Sequence, residues 1–323
     1  MDVIQPVNFE PATAFAGTDL ALTAANYSNV TTYALGDKAT YFYRLYQSLQ
    51  AGNVGNLPPF NPDFTIDPPP TAFWAFIGPD NQFAMFDNKG NTSSTRTTSF
   101  YQRWVYGNVP GTLNPVSVTT IAVLNVNAVT VQLILRDNST TGTIFYNQTK
   151  GINDVLVGDW YDYFFLPVFS KISQIIFDDL PATPTPLTNA NYAEIIVTGI
   201  TGSTVSVGSV ICGNKYFLGL TQYGATAGIS DYSKKETDVY GNIKITKRAF
   251  SKKLNAKLEI ANGDGNRVQA LMYSLRATPC VWIGSDDARF QESLIIYGFY
   301  QDFSTEIAYP NHSLMNLEIQ GLT

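Results

Sequence analysis

The chain has 323 residues, enough for two or three domains at the usual ~100–200 residues apiece. Hydrophobic residues make up 45% and aromatics 13%, which excludes wholesale disorder, while charged residues, at 14%, fall well below the roughly 25% of an average domain. A net charge of −6 argues against a general nucleic-acid binder, which should be basic.

Residues 1–25 carry no sustained period and are broken by Pro6, Pro11 and Gly17, so they read as an extended N-terminal arm with a short helical turn near Leu20–Ala25. Residues 26–80 form a small aromatic-rich β module. A turn at Gly36-Asp37 precedes the β-prone run Thr40–Ser48, and a loop rich in Asn, Gly and Pro leads to Phe73–Ile77. Residues 81–210 read as a β-sandwich of jelly-roll type. Val131, Leu133 and Leu135 alternate with Thr130, Gln132 and Arg136; Ala193, Ile195 and Val197 repeat the pattern. Asp159–Phe165 reads as an aromatic strand and Pro181–Pro186 as a loop.

Residues 211–323 read as a C-terminal β-domain with one helix. Gly241-Asn242 before Ile243-Lys244-Ile245 signals a hairpin. Val268, Leu271, Met272 and Leu275 fall at helical spacing behind a cap region at 263–266, and Pro279 stops the helix. Leu294–Phe303 is apolar on both faces. Leu294, Ile296, Phe299 and Tyr300 are therefore expected at an assembly interface, a closed homo-oligomer being the usual solution. Ser313–Gln320 alternates cleanly. The fold class expected is thus mainly β.

Charge divides unevenly. Residues 1–200 carry a net −7 and residues 201–323 a net +1, so the two parts face different surroundings. Lys244, Lys247, Arg248, Lys252, Lys253 and Lys257 follow one another without an intervening acid. Interspersed apolar residues make this a lysine-protected sheet edge or a protein contact rather than a nucleic-acid stripe.

Catalytic sets are hard to assemble. The single histidine, His312, sits in a turn, and neither a Gly-X-Ser-X-Gly elbow nor a phosphate loop exists. Asp159/Asp162, Asp178/Asp179 and Asp286/Asp287 are spaced as turn or edge residues, not as facing acids or an EF-hand. Cys212 and Cys280 sit in apolar runs and read as buried free thiols. No enzyme, metal or cofactor is expected. The start, Met1–Pro6, has no basic-then-apolar leader, and no run reaches the ~18 residues of a membrane span, so synthesis in a cytoplasm and no membrane insertion are expected.

Two resemblances follow from particular residues. Tyr33-Ala34-Leu35-Gly36-Asp37, Tyr46-Gln47-Ser48, Asn53–Pro58 and Trp74 resemble the small carbohydrate-binding module appended to chitinases. The usual adjacent aromatics after the loop are replaced here by Phe60 and Phe64 in a proline-rich insert. This implies a platform of exposed rings for a host-surface glycan, and Trp74, Tyr43 and Phe60 are the rings expected to form it. Leu218–Thr221, Gly228–Glu236, Tyr240-Gly241-Asn242, Leu275–Pro279, Val281–Gly284, Ile296–Tyr300 and Phe303–Leu322 are similar to tail proteins of long-tailed bacteriophages. That resemblance implies a structural virion component near the tail tip, of distal-tail or minor-tail type, whose partners are other tail proteins and copies of itself. A dedicated glycan-adhesion protein is the main alternative, and a polysaccharide depolymerase the remote one.

Overall fold

The computed structural model describes residues 1–7, 15–61, 66–87, 89–106, 118–152, 160, 164, 173–181, 191–237, 241–285, 291–307, 309 and 311–322. With 54% strand against 8% helix, the fold is mainly β. The chain divides into two compact units, Met1–Pro6 with Gly213–Thr323, and Val7–Cys212.

The Val7–Cys212 unit is built on alternating strands. Thr130–Asp137 pairs antiparallel with Asn191–Thr198, setting Val131 opposite Val197, Leu133 opposite Ile195 and Leu135 opposite Ala193. All six side chains are fully buried, because period-two alternation turns these residues of both strands to one face. Ile144–Gly151 flanks this pair on one side, and Ser99–Tyr106 with Phe15–Thr18 on the other, making a five-stranded sheet. A second pair, Thr120–Leu124 with Gln174–Phe177, contributes Ile121, Val123, Ile175 and Phe177 to the same core, which gives a sandwich-like packing. On the sheet, the buried carboxylate of Glu194 is held by Arg103 at 2.9 Å and Arg136 at 3.3 Å, a charge clamp that alternation alone does not announce.

The expected aromatic strand Asp159–Phe165 falls mostly outside the described residues. Trp160 and Phe164 are described, and they correct that reading: their backbone is helical, and their exposed rings stack at 6.1 Å, one helical turn apart. Most of the Pro181–Pro186 loop lies outside the described residues as well.

One buried acid makes this unit sensitive to pH. Asp87 follows the short turn of helix Ala84–Phe86 and accepts hydrogen bonds from the Lys89 amide at 2.9 Å and the Thr92 hydroxyl at 2.8 Å. Burial outweighs these bonds and pushes its carboxyl up to about 6. Between the ordinary value of 3.8 and about 6, the folded chain therefore holds a proton that the unfolded chain has released. Stability from this group falls as pH rises through that window and stays low above it. Asp87→Asn should flatten the window and stabilise the protein at neutral pH, by on the order of 2 kcal/mol. Urea midpoints measured across the window check this; a midpoint in the parent that rises with pH there would contradict it.

The other unit centres on one antiparallel sheet. Its order runs from Gly213–Phe217 through Asp2–Pro6, Cys280–Ile283, Ile295–Glu306 and His312–Gly321 to Phe250–Ala261, on which Leu220–Thr221 and Thr226–Asp231 both pair. The first residues are thus not a free arm. Val3 lies opposite Tyr216 on one side and Trp282 on the other, and is fully buried.

The expected helix is present as Gly265–Ser274 and buries Val268 and Met272 against Leu254, Leu258, Trp282, Met315 and Leu317. Its end precedes Pro279. The Leu275 amide still bonds to the Leu271 carbonyl, and Ala277 then takes a left-handed φ of 59°. A second, four-residue helix spans Gln291–Leu294. Gly298 is required where it stands: a Cβ there would lie 2.0 Å from the Gln320 carbonyl oxygen of the paired strand.

Candidate functional site

In residues 26–80 the strands Lys38–Tyr41, Arg44–Ser48 and Trp74–Pro79 form a three-stranded antiparallel sheet. Three strands cannot enclose an aliphatic core, so aromatic rings supply the volume. Tyr33, Tyr46 and Trp74 are buried together with Ala39, and Tyr27, Tyr41, Phe73 and Phe76 pack around them. The polar ends of the central rings stitch down the long loop. Trp74 Nε1–H donates to the Asn56 carbonyl at 2.7 Å, and the Tyr46 hydroxyl donates to the Pro59 carbonyl at 2.6 Å. Asn53 completes the seam through its amide, which donates to Ser48 Oγ at 3.1 Å and the Phe73 carbonyl at 3.2 Å.

This geometry corrects the expected platform. Trp74 is fully buried and presents no face to a ligand. Tyr43 turns away from the module, stacking on Phe15 at 4.6 Å, with Phe83 at 6.4 Å. Phe60 is exposed, as expected, and its partner is Phe42, whose ring lies 4.6 Å away. Phe64 lies outside the described residues.

Phe42 and Tyr43 form the two-residue turn between the first two strands of the module, and both have positive φ, 46° and 58°. Such a turn normally takes Asn-Gly, because L side chains other than Asn and Asp are strained there. Two aromatic residues held in that conformation cost of order 1–3 kcal/mol each, a strain that clusters at functional surfaces. Sequence reasoning missed Phe42 because Phe-Tyr carries no turn signature.

The four residues expected at an assembly contact are divided. Ile296 is buried in its own unit's core, and Leu294 and Tyr300 pack on that core, with the Tyr300 hydroxyl donating to the Met272 carbonyl at 3.0 Å. Ile295–Gly298 pairs with Cys280–Ile283 on one side, and Gly298–Glu306 with His312–Gly321 on the other, so each half of the strand has one ladder. Phe299 alone of the four stands on the opposite face, partly buried.

Exposed apolar surface gathers elsewhere. Thr226–Asp231 pairs with the start of Phe250–Ala261, and Lys234–Thr237 pairs beyond it with Ile243–Thr246, forming a two-stranded ribbon around Gly241. Every residue of Lys234–Thr237 and Ile243–Thr246 is exposed. Ile229, Ile243, Ile245 and Phe250 are each more than half exposed, interleaved with Lys234, Lys235, Lys244, Lys247 and Arg248.

His312 stacks on Tyr309 at 4.5 Å, with Glu259 3.9 Å from its Nδ1. Asp179 accepts a hydrogen bond from the Tyr146 hydroxyl at 2.7 Å. Asp159, Asp162, Asp286 and Asp287 lie outside the described residues. Among the described residues, no three His, Cys, Asp or Glu side chains gather as a metal site, and no helix is long and apolar enough to cross a membrane. Cys280 is buried, Cys212 half-buried, and both are free thiols that burial pushes up to about 12. The sequence matches no protein-family model and no curated protein.

Proposed function

We propose that the protein is a non-enzymatic structural component of a bacteriophage tail tip, assembled through its C-terminal unit by contacts with other tail proteins and with copies of itself. The observation that carries this reading is the exposed ribbon at 226–255. A two-stranded ribbon is marginally stable alone, and bare isoleucines on it are costly in water, so a surface that covers them is the economical explanation. The interleaved lysines keep it soluble before assembly and resist random edge pairing. The residues similar to long-tailed phage tail proteins include Gly228–Glu236 and Tyr240-Gly241-Asn242 of this stretch, which supports the same reading.

Host-glycan adhesion is the second reading, favoured by the exposed Phe42–Phe60 pair on its strained turn. Such a platform binds weakly, in the ~mM range, and gains strength only through many copies.

Immunogold labelling of intact particles with antibody to the chain tests the first reading, and gold at the tail tip is expected. Particles that lack the chain altogether would refute it.

A further inference from the structure

The polar face of the C-terminal unit's sheet carries a cleft of about 300 Å³ beside the turn at Gly224. Four strands contribute to it in register. Thr226 lies opposite Asn255, Asn255 opposite Glu318, and Glu318 opposite Asp302. One step along the strands on the same face, Lys257 lies opposite Asn316, and Asn316 opposite Ser304. Neighbours opposite one another on the same face of a sheet sit at strand spacing, so the first row reaches ~14 Å across four strands and the second ~10 Å across three.

These side chains do not satisfy one another. Among the described residues, none of the seven makes a side-chain hydrogen bond or ion pair within the protein. The sheet of the other unit behaves differently: Gln132 donates to Asn147 at 2.8 Å, and Glu194 is clamped by two arginines. Glu318 and Asp302 even face each other as like charges, an arrangement that costs energy unless a partner supplies donors. Asn255 and Asn316 offer donors and acceptors, Thr226 and Ser304 hydroxyls, and Lys257 one cation. Tyr223 precedes Gly224, which lines the cleft, and is wholly exposed, with no ring contact among the described residues.

A concave, mixed donor and acceptor grid beside a bare aromatic ring suits one ligand class. A sugar presents hydroxyls that both donate and accept, and an apolar face that stacks on a ring. Two carboxylates against one ammonium disfavour uronic or sialic acids. We infer that this cleft binds a short neutral oligosaccharide, with Tyr223 stacking on one ring and Asn255, Asn316, Asp302 and Glu318 hydrogen-bonding its hydroxyls. This site is separate from the Phe42–Phe60 pair and does not depend on it.

The test uses the full chain and ligand-observed saturation-transfer NMR. Probes are neutral di- and trisaccharides of glucose, galactose, mannose and N-acetylglucosamine, beside uronic- and sialic-acid-containing ones. Binding of at least one neutral probe is expected, weakened tenfold or more by Tyr223→Ala and by Asn255→Ala, and unchanged by Phe60→Ala. All three positions are exposed, so circular dichroism should show the parent fold throughout. Three outcomes would overturn the proposal: no neutral probe binds, acidic probes bind as well as neutral ones, or Phe60→Ala abolishes binding while Tyr223→Ala leaves it intact. The last would assign the sugar to the aromatic module, and none of the three bears on tail-tip location.

Discussion

Trp282→Ala should cost the C-terminal unit ~3–5 kcal/mol, the usual consequence of emptying a site that holds a large buried ring. Trp282 is fully buried between Val281 and Ile283, its Nε1–H donates to the Gly298 carbonyl at 2.9 Å, and its ring meets Tyr300 edge-on at 6.2 Å. The site cannot collapse readily, because Val3 and Ile296 lie opposite Trp282 on the two neighbouring strands and are fixed in their ladders. A domain's whole margin is ~5–15 kcal/mol, so the loss should be visible as a lower denaturation midpoint. Trp282→Phe should be milder, keeping most of the apolar volume but orphaning the Gly298 acceptor. A loss below ~1 kcal/mol for the alanine variant would show that the ring is peripheral.

Trp74→Ala should have a comparable effect on a smaller structure. Tyr27 and Tyr33 meet the Trp74 ring edge-on at 5.9 and 5.0 Å, and the Nε1–H anchors the loop at Asn56. Removing ~3–5 kcal/mol from a three-stranded sheet with four buried core residues should unfold the module locally. Phe60→Ala, by contrast, removes an exposed ring and should change stability by less than ~1 kcal/mol. Hydrogen exchange of the amides in 38–48 distinguishes the two: protection should collapse in the first variant and persist in the second. Protection retained in Trp74→Ala would mean the module does not depend on its central ring.

Much of the fold was legible because local pattern and tertiary environment agree. Val131, Leu133 and Leu135 alternate in the sequence and are buried in the sheet; Val268 and Met272 keep helical spacing and face the core. The reading failed where structure depends on partners distant in sequence. Asp2–Pro6 shows no period of its own, yet becomes an inner strand because two ladders flank it. Asp159–Phe165 looked like a strand because its aromatics are β-prone, whereas Trp160 and Phe164 meet at helical spacing.

The candidate sites were less legible for the same reason. Trp74 closes a motif in the sequence, but whether a ring closes a core or caps a surface depends on what covers it. Phe42 escaped notice because its exposure follows from a strained turn. The row Thr226, Asn255, Glu318 and Asp302 comes from four separate stretches of chain and exists only once strand register is set. The apolar stripe of Ile243 and Ile245 was visible, but its alternation with lysine suggests an ordinary half-buried strand rather than an uncovered ribbon.

The inner strand Asp2–Pro6 has a consequence for how the molecule is made. Pro6 lies opposite Gly213, so all of the intervening chain leaves and re-enters the C-terminal unit between two adjacent strands. In topological terms the Val7–Cys212 unit is an insertion in a hairpin. Asp2–Pro6 can pair with Gly213–Phe217 once that strand is made, but its second ladder waits for Cys280–Ile283. Its docking is the longest-range closure in the unit, and such non-local contacts are entropically expensive to form early. The inner ladders of the C-terminal unit therefore close only after residues on both sides of the Val7–Cys212 insertion have been made.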